Sequence, residues 1–302
     1  MRFSTIALAL SAIVASVSAA PMPPHNNPWG DNVSNVLQYA LTLENLEAEF
    51  YKQGLSKFDA KAFTDAGFPP EVREKFIHIG QHESDHVGTI SSVLKGMKVE
   101  PVPICTYNFP MDNLTQFLAV AQALENTGTS AYLGAASGLS GDLLTAAAGI
   151  TTVEARHSAF LNELWKQTAF PYSIDTALGP REIVTIASSF IKSCPYDIGF
   201  KPFNTLTASL SKGEGNSTMV MTSFMGPKNG TDDKTYCQFL YGSKAASSPR
   251  SECVLPSDVK GYVYVMVTST DKPVNRNNEK QVLAGPALLF NGVHNDNSSS
   301  ST

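Results

Sequence analysis

Charge is scarce in this chain. Only 16% of its 302 residues are Asp, Glu, Lys or Arg, and the formal net charge is −5 with both signs mixed along the sequence. That pattern offers no basic face for nucleic acid or an anionic membrane. It is not a disordered composition either, because 42% of residues are hydrophobic and a sizeable core can form. Internal repeats are absent. Beyond the first twenty residues no stretch is long and apolar enough to span a bilayer, and from the polar tail NDNSSSST no lipid-anchor signal is expected. Cysteine is limited to four residues, Cys105, Cys194, Cys237 and Cys253. An even number favours disulfides in an oxidising compartment, and four cysteines allow three pairings. Domain boundaries favour Cys105–Cys194 and Cys237–Cys253.

The start, MRFSTIALALSAIVASVSAAP, has a positive Arg2, an apolar core from Ile6 to Val17 and small residues after it. It reads as a secretory signal over residues 1–19, cleaved after Ala19. Secretion to the outside of the cell or to the wall is therefore expected. Sequons at Asn32, Asn113, Asn216, Asn229 and Asn297 are expected glycosylation sites.

Residues 20–33 are rich in Pro and Asn and read as an extended arm. Helical periodicity then dominates. Helix one is expected over about Ser34 to Leu55, with Leu37, Ala40, Leu41, Ala48 and Tyr51 on its apolar stripe and Gly54 near its end. After a loop carrying Asp65, Gly67 and Pro69, helix two starts at Pro70 and runs to about Gly96. The linker KVEPVPICTYNFP has no helical period. About 15 extended residues span roughly 50 Å, and a 26-residue helix is about 39 Å long. The linker can therefore return along the whole bundle, so helices two and three can lie parallel. Helix three, capped by Asp112, runs to about Gly138. Helix four, residues 142–167, follows after a short turn. A fifth helix spans about Pro180 to Lys192. After residue 200 short β-branched and aromatic runs alternate with Gly, Asn, Ser and Pro clusters, which reads as a small antiparallel β-sandwich. The expected division is a helical bundle over 34–199, a β-sandwich over 200–294 and a disordered tail over 295–302, an α+β two-domain chain.

Polar residues interrupt four apolar stripes. Helix one places Glu44 in its stripe, helix two Glu83 and His86, helix three Glu125, helix four Glu154 and His157. A helix puts residues i and i+3 on one side, so both Glu-x-x-His pairs point inward, helix four's among Ala147, Ile150, Phe160, Leu161 and Leu164. An unpaired carboxylate is costly there. One inward Glu is more often a phase error than a ligand, but six such residues on four separate stripes are hard to produce by phase error. One carboxylate from each of two helices and Glu-x-x-His from each of the other two is the donor set of di-iron and di-manganese bundles. Four carboxylates offset two divalent ions, and two imidazoles leave room for oxygen or peroxide. Two Fe or Mn ions are the expected cofactor. Glu47, one turn after Glu44, reads as a ligand, a carboxylate behind the ligands, or a half-exposed residue. Tyr39, Tyr51 and Tyr132 lie near the same helices and are expected chiefly as core, with radical or hydrogen-bonding roles as the alternative.

A competing motif overlaps. His82-Glu83-Ser84-Asp85-His86 spells H-E-x-x-H, a zinc-peptidase signature. It leaves Glu44, Glu125 and the 154–157 pair without a purpose and lacks a third ligand at protease spacing. His82 and His78 then fall on the flank of the stripe, beside the site or at the surface.

At LTLENLEAEFY, HESDHV, LENTGTSAYLGAA and TTVEARHSAFL the chain resembles the ferritin-like domain family of secreted fungal proteins, which includes stress-response and late sexual development proteins and is related to plant desiccation-related proteins. The resemblance covers roughly residues 32–195. It implies a four-helix bundle with a long crossover and a di-metal site at Glu44, Glu83, His86, Glu125, Glu154 and His157, with Glu47 matching the second glutamate of the helix-one motif. It implies no defined reaction. Three further functions compete with a redox site on oxygen species: a non-catalytic extracellular or wall scaffold, iron storage, and the zinc peptidase.

Overall fold

The computed structural model describes residues 29, 32–213, 217–224, 234–274 and 278–292. The expected signal segment, nearly all of the arm, the tail and the sequons at Asn216, Asn229 and Asn297 lie outside the described residues.

Four long helices form the first part: α1 Val33–Lys57, α3 Pro70–Gly96, α4 Leu114–Ala135 and α5 Gly141–Leu164. A short α2, Ala60–Asp65, occupies the expected loop, because the Asp59 side chain accepts from Ala62 N at 2.9 Å and starts a turn. Asn113, not Asp112, caps α4, its Oδ1 accepting from Gln116 N at 3.0 Å. Asn32 caps α1 in the same way through Ser34 N. Both exposed sequons thus sit at helix starts.

Gly54 is not a helix terminator. It lies inside α1, where an added Cβ would stand 2.0 Å from the Phe117 ring. The missing side chain lets Phe117 into a cluster with Phe50, Phe58 and Phe76, whose ring centroids lie 5.0–5.5 Å away. This aromatic plug closes one end of the bundle.

Helix α1 packs on α3, α4 packs on α5, and α1 meets α4. Helices α3 and α5 meet through side chains, Phe76 against Phe160 at 6.0 Å between ring centroids and His82 against His157, and leave a groove open on that side. The first half of α5 is exposed: Ala147 and Ile150 are half-buried rather than inward. The crossover after α3 carries β1 (Thr106–Tyr107), which pairs antiparallel with β2 (Ile191–Ser193). Helix α6, Pro180–Ala187, therefore ends before Lys192. The Cys105–Cys194 disulfide pins the same two segments.

The second part is β-rich. Strands β3 (Leu206–Lys212) and β4 (Thr218–Phe224) form a hairpin. Strands β5 (Tyr236–Tyr241), β6 (Lys244–Pro249), β7 (Gly261–Thr268) and β8 (Val282–Asn291) form an antiparallel sheet in the order β6-β5-β7-β8. One core of Leu206, Val220, Phe239, Val263, Val265 and Val267 fills the space between them, beside the Cys237–Cys253 disulfide. Strand β7 is buried along its whole length, because its other face packs on the bundle. There Tyr264 Oη lies 2.8 Å from Ser130 Oγ and donates to Asn126 O at 3.0 Å. Helical and β parts thus share a core that includes Tyr39, Ile183, Tyr262 and Tyr264. No described helix is long and apolar enough to cross a membrane.

Candidate metal centre

The four long helices bring six of the anticipated side chains to one dry point. Glu44, Glu83, Glu125 and Glu154 are each 0% exposed, and His86 and His157 are 8% and 6% exposed. Their donor atoms fall into two overlapping sets, Glu44–Glu83–His86–Glu154 and Glu83–Glu125–Glu154–His157, with atoms inside each set within 4.8 Å of one another. Glu83 and Glu154 belong to both sets. His86 Nδ1 lies 3.2 Å from Glu44 and Glu83 and 3.3 Å from Glu154. His157 Nδ1 lies 3.0 Å from Glu125 and 3.2 Å from Glu83. Each set therefore has one imidazole, one carboxylate of its own and two shared carboxylates.

The remaining residues explain how so much acid is held. Tyr51 follows Glu44 by seven residues on α1, and Tyr132 follows Glu125 by seven on α4. Each phenol crosses to the other helix: Tyr51 Oη donates to Glu125 and Tyr132 Oη to Glu44. These tyrosines are hydrogen-bond clamps, not plain core. Tyr39 is core, packed 4.8 Å from Trp29. Three residues after Glu44 stands Glu47, 4% exposed; three residues after Glu125 stands Gly128. An added Cβ at Gly128 would lie 2.6 Å from Glu154 Oε2 and 3.0 Å from Glu47 Oε1. The glycine makes room for both carboxylates, so Glu47 is a buried neighbour of Glu154 and not half-exposed. Sequence reasoning offers hydrogen bonding by Tyr51 and Tyr132 only as the alternative to core and misses the space Gly128 provides; the repeated seven-residue spacing was the signal that could have found the clamps.

Neutrality is the governing constraint. Burial pushes Glu44 up to about 7 against the hydrogen bond from His86. Glu47 and Glu154 are driven well above the usual carboxylate range, first by burial and then by neighbouring carboxylates. Glu125 is raised by burial and by the charge of Glu83. Burial pushes Glu83 the same way, but hydrogen bonds from His157 and His86 outweigh it and hold it at about 2. Burial disfavours both imidazolium ions, yet the carboxylates win and lift His86 to about 12 and His157 to about 9. Protons thus stand where cations would balance the charge. They balance it incompletely. Both oxygens of Glu154 and Oε1 of Glu83 are buried with no well-aligned hydrogen bond, although two of these three come within 3.3 Å of imidazole nitrogens. Orphaned carboxylate oxygens amid oxygen and nitrogen donors, with no thiolate, fit a metal ion.

On the open side a groove of about 740 Å³ between α3 and α5 reaches His82, His86 and His157. His82 Nδ1 lies 3.0 Å from His157 Nε2, with the two ring planes within 10° of parallel. His82 thus orients His157 from outside. It does not join His86 around a common point among the described residues, which disfavours the H-E-x-x-H reading. His78 lines the groove rather than the centre.

Comparison with known proteins follows the same lines. The family described as ferritin-like domain matches residues 32–167. Protein rds1 of Schizosaccharomyces pombe is 29% identical over 177 residues, covering 57% of this chain and 42% of that protein. The chain thus matches less than half the length of this relative. The crystal structure of a conserved hypothetical protein, rv2844, from Mycobacterium tuberculosis aligns at 17% identity with a TM-score of 0.37, over 44% of this chain and 89% of that one.

Proposed function

We propose, from the match of residues 32–167 to a ferritin-like domain, a secreted protein whose bundle holds two iron or manganese ions and acts on dioxygen or peroxide in stress response or development. The observation that carries the reading is the convergence of four fully buried carboxylates and two imidazoles, from four helices, on two donor sets that share Glu83 and Glu154. Glu44 and His86 would hold one ion and Glu125 and His157 the other, with Glu83 and Glu154 available to both. Such a pair would supply two-electron redox chemistry at a site whose carboxylates are fully buried. The protein's own residues do the rest. Tyr51 and Tyr132 fix the outer carboxylates, and Gly128 keeps space for Glu154 and Glu47. His82 sets the ring of His157. The groove admits substrate on the imidazole side.

Secretion is supported by the apolar N-terminal segment, by two disulfides, and by sequons whose described members are exposed. The stress or developmental role rests on resemblance alone. The test is peroxide and oxygen consumption by protein reconstituted with iron and, separately, with manganese. Turnover that disappears in Glu154→Ala supports the proposal, and no turnover with either metal ends the redox reading. A non-catalytic scaffold is the second reading, favoured by the continuous core that ties β7 to α4. It predicts that stress protection survives in a Glu83→Ala, Glu154→Ala double variant.

A further inference from the structure

A site for dioxygen or peroxide alone needs little space, since a water-sized molecule takes about 30 Å³ of liquid. The groove beside the imidazoles is far larger, about 740 Å³, in the range of sites for small organic molecules. We propose that this groove binds a small hydroxylated aromatic molecule, of the phenol or hydroquinone class, against His82. On the redox reading above, that molecule is the electron donor to the centre.

Three features select this chemistry. The walls are apolar and partly aromatic: Ile79, Phe160 and Phe170 line the groove, and Phe170 is 80% exposed with its ring open to a stacking partner. The rim holds Lys75 and Arg156 beside Asp85 and Glu163. Two cations and two acids leave it near neutral, which suits an uncharged or singly ionised phenol better than a polyanion. Lys75 and Arg156 are exposed; Lys75 Nζ stands 4.9 Å from the Phe160 ring centroid, and Arg156 forms no ion pair among the described residues, so the Arg156 N–H groups are available to a hydroxyl or phenolate oxygen. Finally, the floor leads inward. His82 lies 3.0 Å from His157 Nε2, and His157 Nδ1 lies 3.0 Å from Glu125. A donor against His82 is one hydrogen-bonded contact away from a side chain assigned to metal. The reaction balances with peroxide as oxidant: hydroquinone gives up two electrons and two protons and becomes quinone, the O–O bond breaks, and two waters form.

Binding can be read without metal. The full-length protein, stripped by chelator, is titrated with 4-fluorophenol and followed by fluorine NMR. Saturable binding with a dissociation constant of about 1 mM or tighter is expected, weakened about tenfold in both Phe170→Ser and Arg156→Glu. Both positions are exposed, so circular dichroism should stay at the wild-type signal. No saturable binding, or binding that neither substitution weakens, overturns the proposal. A parallel sample that binds the probe but takes up no metal would instead sink the redox reading and remove the donor role.

Discussion

Stripping metal from this protein should make it less stable as pH rises, and restoring metal should reverse the trend. Glu44 titrates at about 7 in the folded chain against the ordinary 4.5. Below 4.5 both states hold the proton. Between 4.5 and 7 the unfolded chain releases it and the folded chain does not, so stability falls as pH rises through that window. At about 1.4 kcal/mol per pH unit the gap corresponds to about 3 kcal/mol. His157, raised from 6.5 to about 9, adds in the same direction: its contribution is complete below 6.5 and is lost as pH climbs through 9. Glu83, held at about 2, contributes above 4.5 and is lost only in stronger acid, so it stays constant over this range. From pH 5 to 7.5 the Glu44 term alone should lower the melting temperature of chelator-treated protein by roughly 6–12 °C. Metal displaces these protons, so the gap between loaded and stripped protein should widen over the same interval. Differential scanning calorimetry at four or five pH values measures both curves. A stripped melting temperature that stays flat or rises from pH 5 to 7.5 would refute the reasoning, because it would mean the carboxylates are not forced to share one dry space.

Other expectations follow from single contacts. Gly128→Val puts a branched side chain where a Cβ alone would meet Glu154 Oε2 at 2.6 Å. It should cut metal uptake about tenfold or more while helical circular dichroism persists, and uptake at the wild-type level would show that the glycine has another purpose. Tyr51→Phe removes the donor to Glu125; metal affinity should fall on the order of 10-fold, with Tyr132→Phe giving a matching loss through Glu44. Isothermal titration separates these from global unfolding. Paired Cys105→Ser, Cys194→Ser substitution opens a link across 89 residues and should cost about 4 kcal/mol in the chain-entropy model, read by denaturant melts.

The helices were legible because each apolar stripe repeats every three to four residues, and the residues of the candidate site were legible as polar breaks in those stripes. Glu44 and Glu125 could be found only in company with the two Glu-x-x-His pairs; alone, either resembles a surface residue out of phase. Short elements were not legible. Helix α2 depends on one cap at Asp59, and β2 exists because β1 pairs with it across more than 80 residues of chain, which no local pattern records. The same holds for Gly54 and Gly128, whose purpose lies in side chains of other helices, Phe117 for one and Glu154 and Glu47 for the other. Periodicity also placed Ala147 and Ile150 inward, whereas both are half-buried on an exposed first half of α5. The β-runs announced strands, but not that Tyr262 and Tyr264 reach back into the bundle.

Elemental analysis of protein purified and reconstituted with excess iron or manganese is the most direct trial of the central claim. The account predicts about two ions per chain, with little or none retained in a Glu83→Ala, Glu154→Ala double variant that keeps its helices. Wild-type protein that retains no ion after reconstitution, or a double variant that binds as well as wild type, would contradict it.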